Sequence, residues 1–215
     1  MSAAIKGIIF DLDGVLVHTD DLHFEAWSGI AERLGITFTE EDNNRLRGVS
    51  RMESLEILLS LGDVRLTDDE KLALATEKND EYVRLLARLT TADGDPDVIA
   101  TIAGLREAGI RLAIGSSSKN AVPILEAIGL LGEFDAIADG TTIANSKPHP
   151  EVFLQAAEKL GLEPGKCLVV EDAFAGVDAA LAGGFPCAAI GDATAHEGVT
   201  WTLQTLPDLL EIVKR

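Results

Sequence analysis

Aromatic residues are scarce, at 5% of 215 residues, although 47% of the chain is hydrophobic. Its core must therefore be aliphatic and alanine-rich. Cysteine is scarcer still. Cys167 and Cys187 both sit in apolar runs, which fits two buried thiols in a reducing compartment and supplies neither a disulfide framework nor a cysteine metal site. Basic residues are few, 18 against 36 acidic ones, leaving a formal charge of −18. A surface that acidic repels phosphate backbones and anionic lipid, so nucleic-acid and membrane partners are not expected. No apolar stretch approaches the roughly 20 residues needed to cross a bilayer. Nor does the N-terminus carry a basic region, a long apolar run and a small-residue cleavage site, so a cytoplasmic location is expected.

What the chain does have is a series of short apolar runs. Gly7 to Phe10 is the first, and similar runs recur at 112–115, 136–138, 168–170 and 188–190. They are too short for helices and too apolar for half-exposed strands, which suits a parallel sheet buried on both faces. Helical segments at about 95–108, 119–128, 150–160 and 173–182 separate the later runs. Three are followed by glycine and an apolar residue (Gly109-Ile110, Gly129-Leu130, Gly161-Leu162), a left-handed helix stop. The fold class is α/β: a doubly wound, Rossmann-like parallel sheet.

Residues 19–92 break the alternation and read as purely helical. One helix is expected over 23–34, stopped at Gly35. Ser50 to Glu53 and Thr67 to Glu70 are capping boxes, and the second opens a helix with an apolar stripe through Leu72, Ala75, Tyr82, Leu86 and Leu89. The expected organisation is a catalytic core of residues 1–18 and 93–215 with a helical cap, 19–92, inserted after the first strand. Ligands in such sheets bind beyond the carboxyl ends of the strands, so an insertion leaving from that end would sit over the crevice as a lid.

Four polar clusters stand at strand–loop junctions. Asp11 and Asp13 follow the first strand with Gly14 after them; alone, this also reads as a strand ending in an ordinary turn. Paired carboxylates at this spacing need a cation or a shared proton, and unequal environments make one a nucleophile and the other an acid/base. Ser116-Ser117-Ser118-Lys119-Asn120 follows the second run, either as an anion site or as a helix start capped by Ser118. Ser146-Lys147-Pro148 follows the third run, where a lone lysine is usually a solvated charge. Glu171-Asp172 ends the fourth, as part of a hard-oxygen metal site with Asp11 or as a helix cap by Asp172.

These four clusters, in this order, resemble the haloacid dehalogenase superfamily of phosphotransferases. The inserted segment, with Thr19, His23-Phe24-Glu25-Ala26-Trp27, Gly48-Val49-Ser50-Arg51 and Lys78-Asn79-Asp80, is similar to its β-phosphoglucomutase family. That resemblance implies Asp11 as nucleophile and Asp13 as general acid/base. It implies Mg²⁺ held by Asp11, the Asp13 carbonyl and Asp172, with Glu171 supporting. Ser116, Ser117 and Lys147 would hold the transferring phosphoryl group. Arg51, Ser118 and Asn120 would hold the distal phosphate, with Lys119 nearby. His23, Trp27, Gly48 and Lys78 would line the sugar site, and Thr19 the hinge. Lys78 lies off the apolar stripe, on a second helix face that can look into the crevice; without the resemblance, an ordinary exposed lysine is the preferred reading. The implied reaction interconverts β-D-glucose 1-phosphate and D-glucose 6-phosphate through an aspartyl phosphate and β-D-glucose 1,6-bisphosphate. The alternative is a Mg²⁺-dependent sugar-phosphate phosphatase. The expected partner is a small phosphorylated sugar, the expected state a monomer, and the expected pocket positively biased within a negative surface. His18, where many members carry an acid, and Ala173, where many phosphatases carry a hydroxyl residue, depart from the pattern.

Overall fold

The computed structural model describes residues 4–214. Six parallel strands form one sheet: β1 (Gly7–Phe10), β2 (Arg111–Gly115), β3 (Ala136–Ala138), β4 (Cys167–Glu171), β5 (Cys187–Ala189) and β6 (Trp201–Thr202). Their order is β3-β2-β1-β4-β5-β6, the doubly wound arrangement expected from the alternating runs. Ile9 pairs with Ala113 on one side and Val169 on the other, which places β1 at the centre and brings three strand ends together.

Alternation along the strands fills two apolar layers. Ile8, Phe10, Leu112, Ile114, Leu168 and Val170 face one cluster, which takes in Val98, Ile102 and Leu105 of α5 (Pro96–Glu107) and Ile124 and Leu125 of α6 (Ala121–Ala127). Ile9, Ala113, Cys167, Val169 and Cys187 face the other. It takes in Val152, Phe153 and Ala156 of α7 (Glu151–Leu160), and Val177 and Ala180 of α8 (Phe174–Ala182). Both cysteines are buried free thiols. The expected glycine stops are all left-handed.

Between β1 and α5 run α1 (Asp20–Leu34), α2 (Glu40–Asn44), α3 (Arg51–Leu59) and α4 (Asp68–Leu86). Both expected capping boxes are formed, and Thr39 opens α2 with a third. Trp27, Ile30, Leu55, Leu58, Leu74 and Ala75 make a separate apolar cluster, while Ala26, Tyr82, Leu85 and Leu86 join the sheet's own layer.

Some local expectations change. The first inserted helix starts at Asp20, one turn before His23. α6 starts at Ala121 rather than 119, because the serine hydroxyls make turns: Ser116 Oγ accepts the N–H of Ser118, and Ser118 Oγ that of Asn120, each at 3.1 Å. Asp172 does not cap α8; Ala173 holds that position. Leu72 is not on the buried stripe of α4 but 60% exposed. β6 was not anticipated. It gives Trp201 a role as an edge-strand residue paired with Ala188.

Candidate active site

β1 and β4 end side by side, and their terminal acids meet there. The Asp11 N–H donates to the Val170 carbonyl at 2.9 Å. Gly14 turns the chain away with φ 86°, and a Cβ there would collide with the Asp172 carboxylate, so the close approach of the two strand ends requires glycine. Candidate ligand oxygens of Asp11, Glu171 and Asp172, all buried, lie within 4.8 Å of one another.

Lys147 is completely buried and donates to both Asp11 and Glu171. Its reading as a solvated charge is thereby excluded. Burial alone would lower its pKa, but Asp11 and Glu171 more than reverse that, and the ammonium is held. The other Glu171 oxygen accepts the N–H groups of Asp172 and Ala173, each at 3.0 Å. Glu171 is thus largely committed to orienting its neighbours. Burial, then Glu171 and Asp11, push the Asp172 carboxyl up. Three buried carboxylates against one lysine leave a deficit of positive charge, and their all-oxygen donor set fits a hard divalent cation such as Mg²⁺.

Asp13 stands beside this cluster. Burial and the Asp11 charge raise its pKa to about 7, against the opposing effect of the Thr19 hydroxyl, which donates to its carboxylate. Two neighbouring aspartates with such unequal surroundings suit nucleophile and acid/base roles. Thr19 is fully buried at the start of α1, where its carbonyl accepts the His23 N–H at 3.0 Å.

The facing wall comes from the inserted helices. Ser50 caps α3, which puts Arg51 in its first turn. Arg51 Nη2 donates to Asn79 Oδ1 at 2.6 Å, and Asn120 Nδ2 donates to the same oxygen at 3.0 Å. Ser117 Oγ donates to the Gly48 carbonyl at 3.0 Å. Lys78 corrects the sequence reading: it lies on the buried stripe of α4, between Ala75 and Tyr82, and is only 3% exposed. Its Nζ is 2.7 Å from His23 Nδ1, 5.0 Å from the Trp27 ring centre and 4.5 Å from that of Tyr82. Burial, then Arg51, lower its pKa to about 7. His23 stacks on Tyr82 and is likewise held neutral by burial and by Lys78. Trp27 is almost wholly buried and serves as the floor beneath Lys78.

Together these walls enclose a crevice of about 1000 Å³. It is lined by Asp11, Asp13, His23, Trp27, Gly48, Arg51, Lys78, Ser116, Ser117, Ser118, Lys119 and Asn120. Lys147, Glu171, Asp172 and Thr19 are packed behind that lining. The pocket is not positive by itself: four acids (Asp11, Asp13, Asp20, Glu53) face four bases (Arg47, Arg51, Lys78, Lys119). Two contributors were missed. Asn79 lies within the Lys78-Asn79-Asp80 run but had no assigned role, and Arg47, just before Gly48, pairs with Asp20 and lies 3.6 Å from Asp172. His149 is exposed and accepts the Glu151 N–H at 3.3 Å, and His18 is exposed.

A family model for haloacid dehalogenase-like hydrolases matches residues 5–184. The chain is 38% identical to a β-phosphoglucomutase of Bacillus subtilis over 207 residues, covering 95% of this chain and 92% of the relative. It is 32% identical to a phosphorylated carbohydrates phosphatase of Thermotoga maritima, covering 84% and 82%. Among solved structures, a β-phosphoglucomutase from Clostridium difficile superposes with a TM-score of 0.91 at 34% identity, covering 98% of this chain and 96% of that one.

Proposed function

The chain belongs to the haloacid dehalogenase-like hydrolase family, and from that membership we propose that it is a mutase interconverting β-D-glucose 1-phosphate and D-glucose 6-phosphate. One observation carries this reading: the crevice offers anion-binding groups on two opposed walls. Ser116 and Ser117 stand at the strand ends with Lys147 packed behind them, while Arg51 stands across from them, joined through Asn79 to Asn120. A phosphatase needs the first set. A mutase must hold a sugar bisphosphate in either orientation and needs both. The β-phosphoglucomutase names of two similar proteins support the same choice.

In this mechanism Asp11 attacks phosphorus in line with the leaving oxygen. One carboxylate oxygen is held by Lys147, so the other is presented for attack. Asp13, with its pKa near 7, takes the proton from the free hydroxyl of the sugar monophosphate as the phosphoryl group moves from Asp11 to form β-D-glucose 1,6-bisphosphate, and returns a proton to the opposite sugar oxygen as that end's phosphoryl group passes back to Asp11. Mg²⁺ held by Asp11, Asp172 and the Asp13 carbonyl, oriented by Glu171, would offset negative charge on the transferring phosphoryl group. Arg51, Ser118 and Asn120, with Lys119 at the rim, hold the distal phosphate; His23, Lys78 and Trp27 shape the sugar pocket. Residues 19–92 act as a lid hinged at Thr19 on the core of 1–18 and 93–215, keeping water from the acyl phosphate. The protein works as a cytoplasmic monomer in this reading.

A phosphatase reading draws on the T. maritima relative and on core groups that serve either reaction. A coupled assay separates them: the β-anomer and Mg²⁺, primed with a trace of bisphosphate, should give glucose 6-phosphate. Release of inorganic phosphate without isomerised product would overturn the mutase.

A further inference from the structure

We propose that Arg47 and Asp192 form an electrostatic clasp that holds the loop between α2 and α3 on the sheet side of the crevice, and so limits loss of the phosphoryl group to water. The inference rests on the mutase reading above. That loop carries Gly48 and leads into Arg51, so its seating decides how well the two walls meet.

Arg47 is the most heavily paired cation of the loop. Its Nε and Nη2 donate to Asp20, its Nη1 donates to Asp192 at 3.3 Å, and Nη2 lies 3.6 Å from Asp172. Asp20 is in the first turn of α1 and therefore on the inserted side with Arg47. Only Asp172 and Asp192 tie the guanidinium to the sheet side. Asp192 lies in the turn Gly191–Ala195 after β5, and that turn is fastened to the strand-end loop by the Ala193 N–H, which donates to the Asp172 carbonyl at 3.2 Å. The loop is thus pinned by the Ser117 hydroxyl on the Gly48 carbonyl and by Arg47 on Asp172 and, at the exposed end, on Asp192. No reacting group is touched by Asp192, whose side chain is 78% exposed. It is a positioning residue.

The reaction held in check is hydrolysis of the aspartyl phosphate. A water oxygen forms the new P–O bond, the bond from phosphorus to the Asp11 oxygen breaks, and the water proton passes to Asp13. Products are inorganic phosphate and the free Asp11 carboxylate. An exposed ion pair that seats a loop is sensitive to salt, so this leak should be as well.

The test is the ratio of inorganic phosphate released to isomerised product, measured with β-glucose 1,6-bisphosphate and the β-anomer. Asp192→Asn should raise that ratio about threefold at low salt with an unchanged melting temperature, and Asp192→Glu should restore it. Raising ionic strength from about 0.02 to 0.5 M should lift the wild-type ratio toward that of the Asn variant, which itself should barely respond. Equal ratios in wild type and Asp192→Asn, or an equal salt response in both, would overturn the clasp. If the wild type isomerises nothing, the mutase reading has failed instead. The clasp is then judged on KM for bisphosphate hydrolysis, which Asp192→Asn should raise at low salt only; an unchanged KM would overturn it.

Discussion

Two lysines are almost wholly buried on opposite sides of the crevice, Lys147 behind its lining and Lys78 within it, and their pKa values shift in opposite directions. Lys147, on the sheet side, touches two carboxylates, and its pKa is pushed up. Lys78, on the helical side, is bonded to a neutral imidazole and flanked by two aromatic rings, and its pKa falls to about 7. Burial is nearly complete for both, so the partners decide. On the sheet wall the lysine is fully paired and the carboxylates are in excess. On the helical wall Lys78 and Arg51 have no ion-pair partner among the described residues, which suits cations that acquire their counter-charge from an anionic ligand.

The largest contrast should come from Lys147→Met. Asp11, Glu171 and Asp172 would then be buried together without their nearest cation, at a cost of about 3–5 kcal/mol. Phosphoryl transfer should fall on the order of 10³-fold, since a charge facing the transferring group is lost as well. Added Mg²⁺ should recover part of the melting temperature, because it supplies positive charge to the same carboxylates. A variant as stable as the wild type without Mg²⁺ would show that Lys147 is not what holds these carboxylates together.

Legibility in the sequence follows the same division. Asp11, Lys147 and Glu171-Asp172 each follow a short apolar strand, and a parallel sheet gathers strand ends whatever happens elsewhere. Asn79 and Arg47 could not be found that way, because their partners are far along the chain: Arg51 and Asn120 for one, Asp192 for the other, 145 residues away. The stripe on α4 was misread for a related reason. Leu72 faces the crevice and Lys78 faces aromatic rings, and hydrophobic periodicity assigns a leucine to the core and a lysine to water. β6, two residues long, has no period to detect.

Arg51→Ala sharpens the contrast at intermediate size. If the mutase proposal holds, Arg51 belongs to the wall that meets the distal phosphate, and isomerisation should fall roughly 10- to 100-fold through loss of charge-assisted hydrogen bonds. Release of phosphate from a small monophosphate, which needs only the sheet wall, should change by less than about threefold. Parallel loss of both activities would mean that Arg51 serves the reacting phosphoryl group, and the division into two walls would fail.

The smallest effect, and the most direct measure of the difference between the walls, lies in the pH dependence of stability around Lys78. Its folded-state pKa of about 7 lies below the ordinary lysine value of 10.5. Between those values the unfolded chain binds more protons than the folded one, so this residue makes stability rise as pH increases through that interval. Below about 7 both states are protonated and the folded protein carries the full cost of a buried ammonium. Lys78→Met removes the titration while keeping an unbranched chain between Trp27 and Tyr82. The variant should be more stable by roughly 1–3 kcal/mol near pH 7, with the gap closing as pH approaches about 10. Thermal melts of both proteins across that range read the slope directly. Parallel curves would mean that Lys78 keeps its proton throughout, and that it is compensated as fully as Lys147.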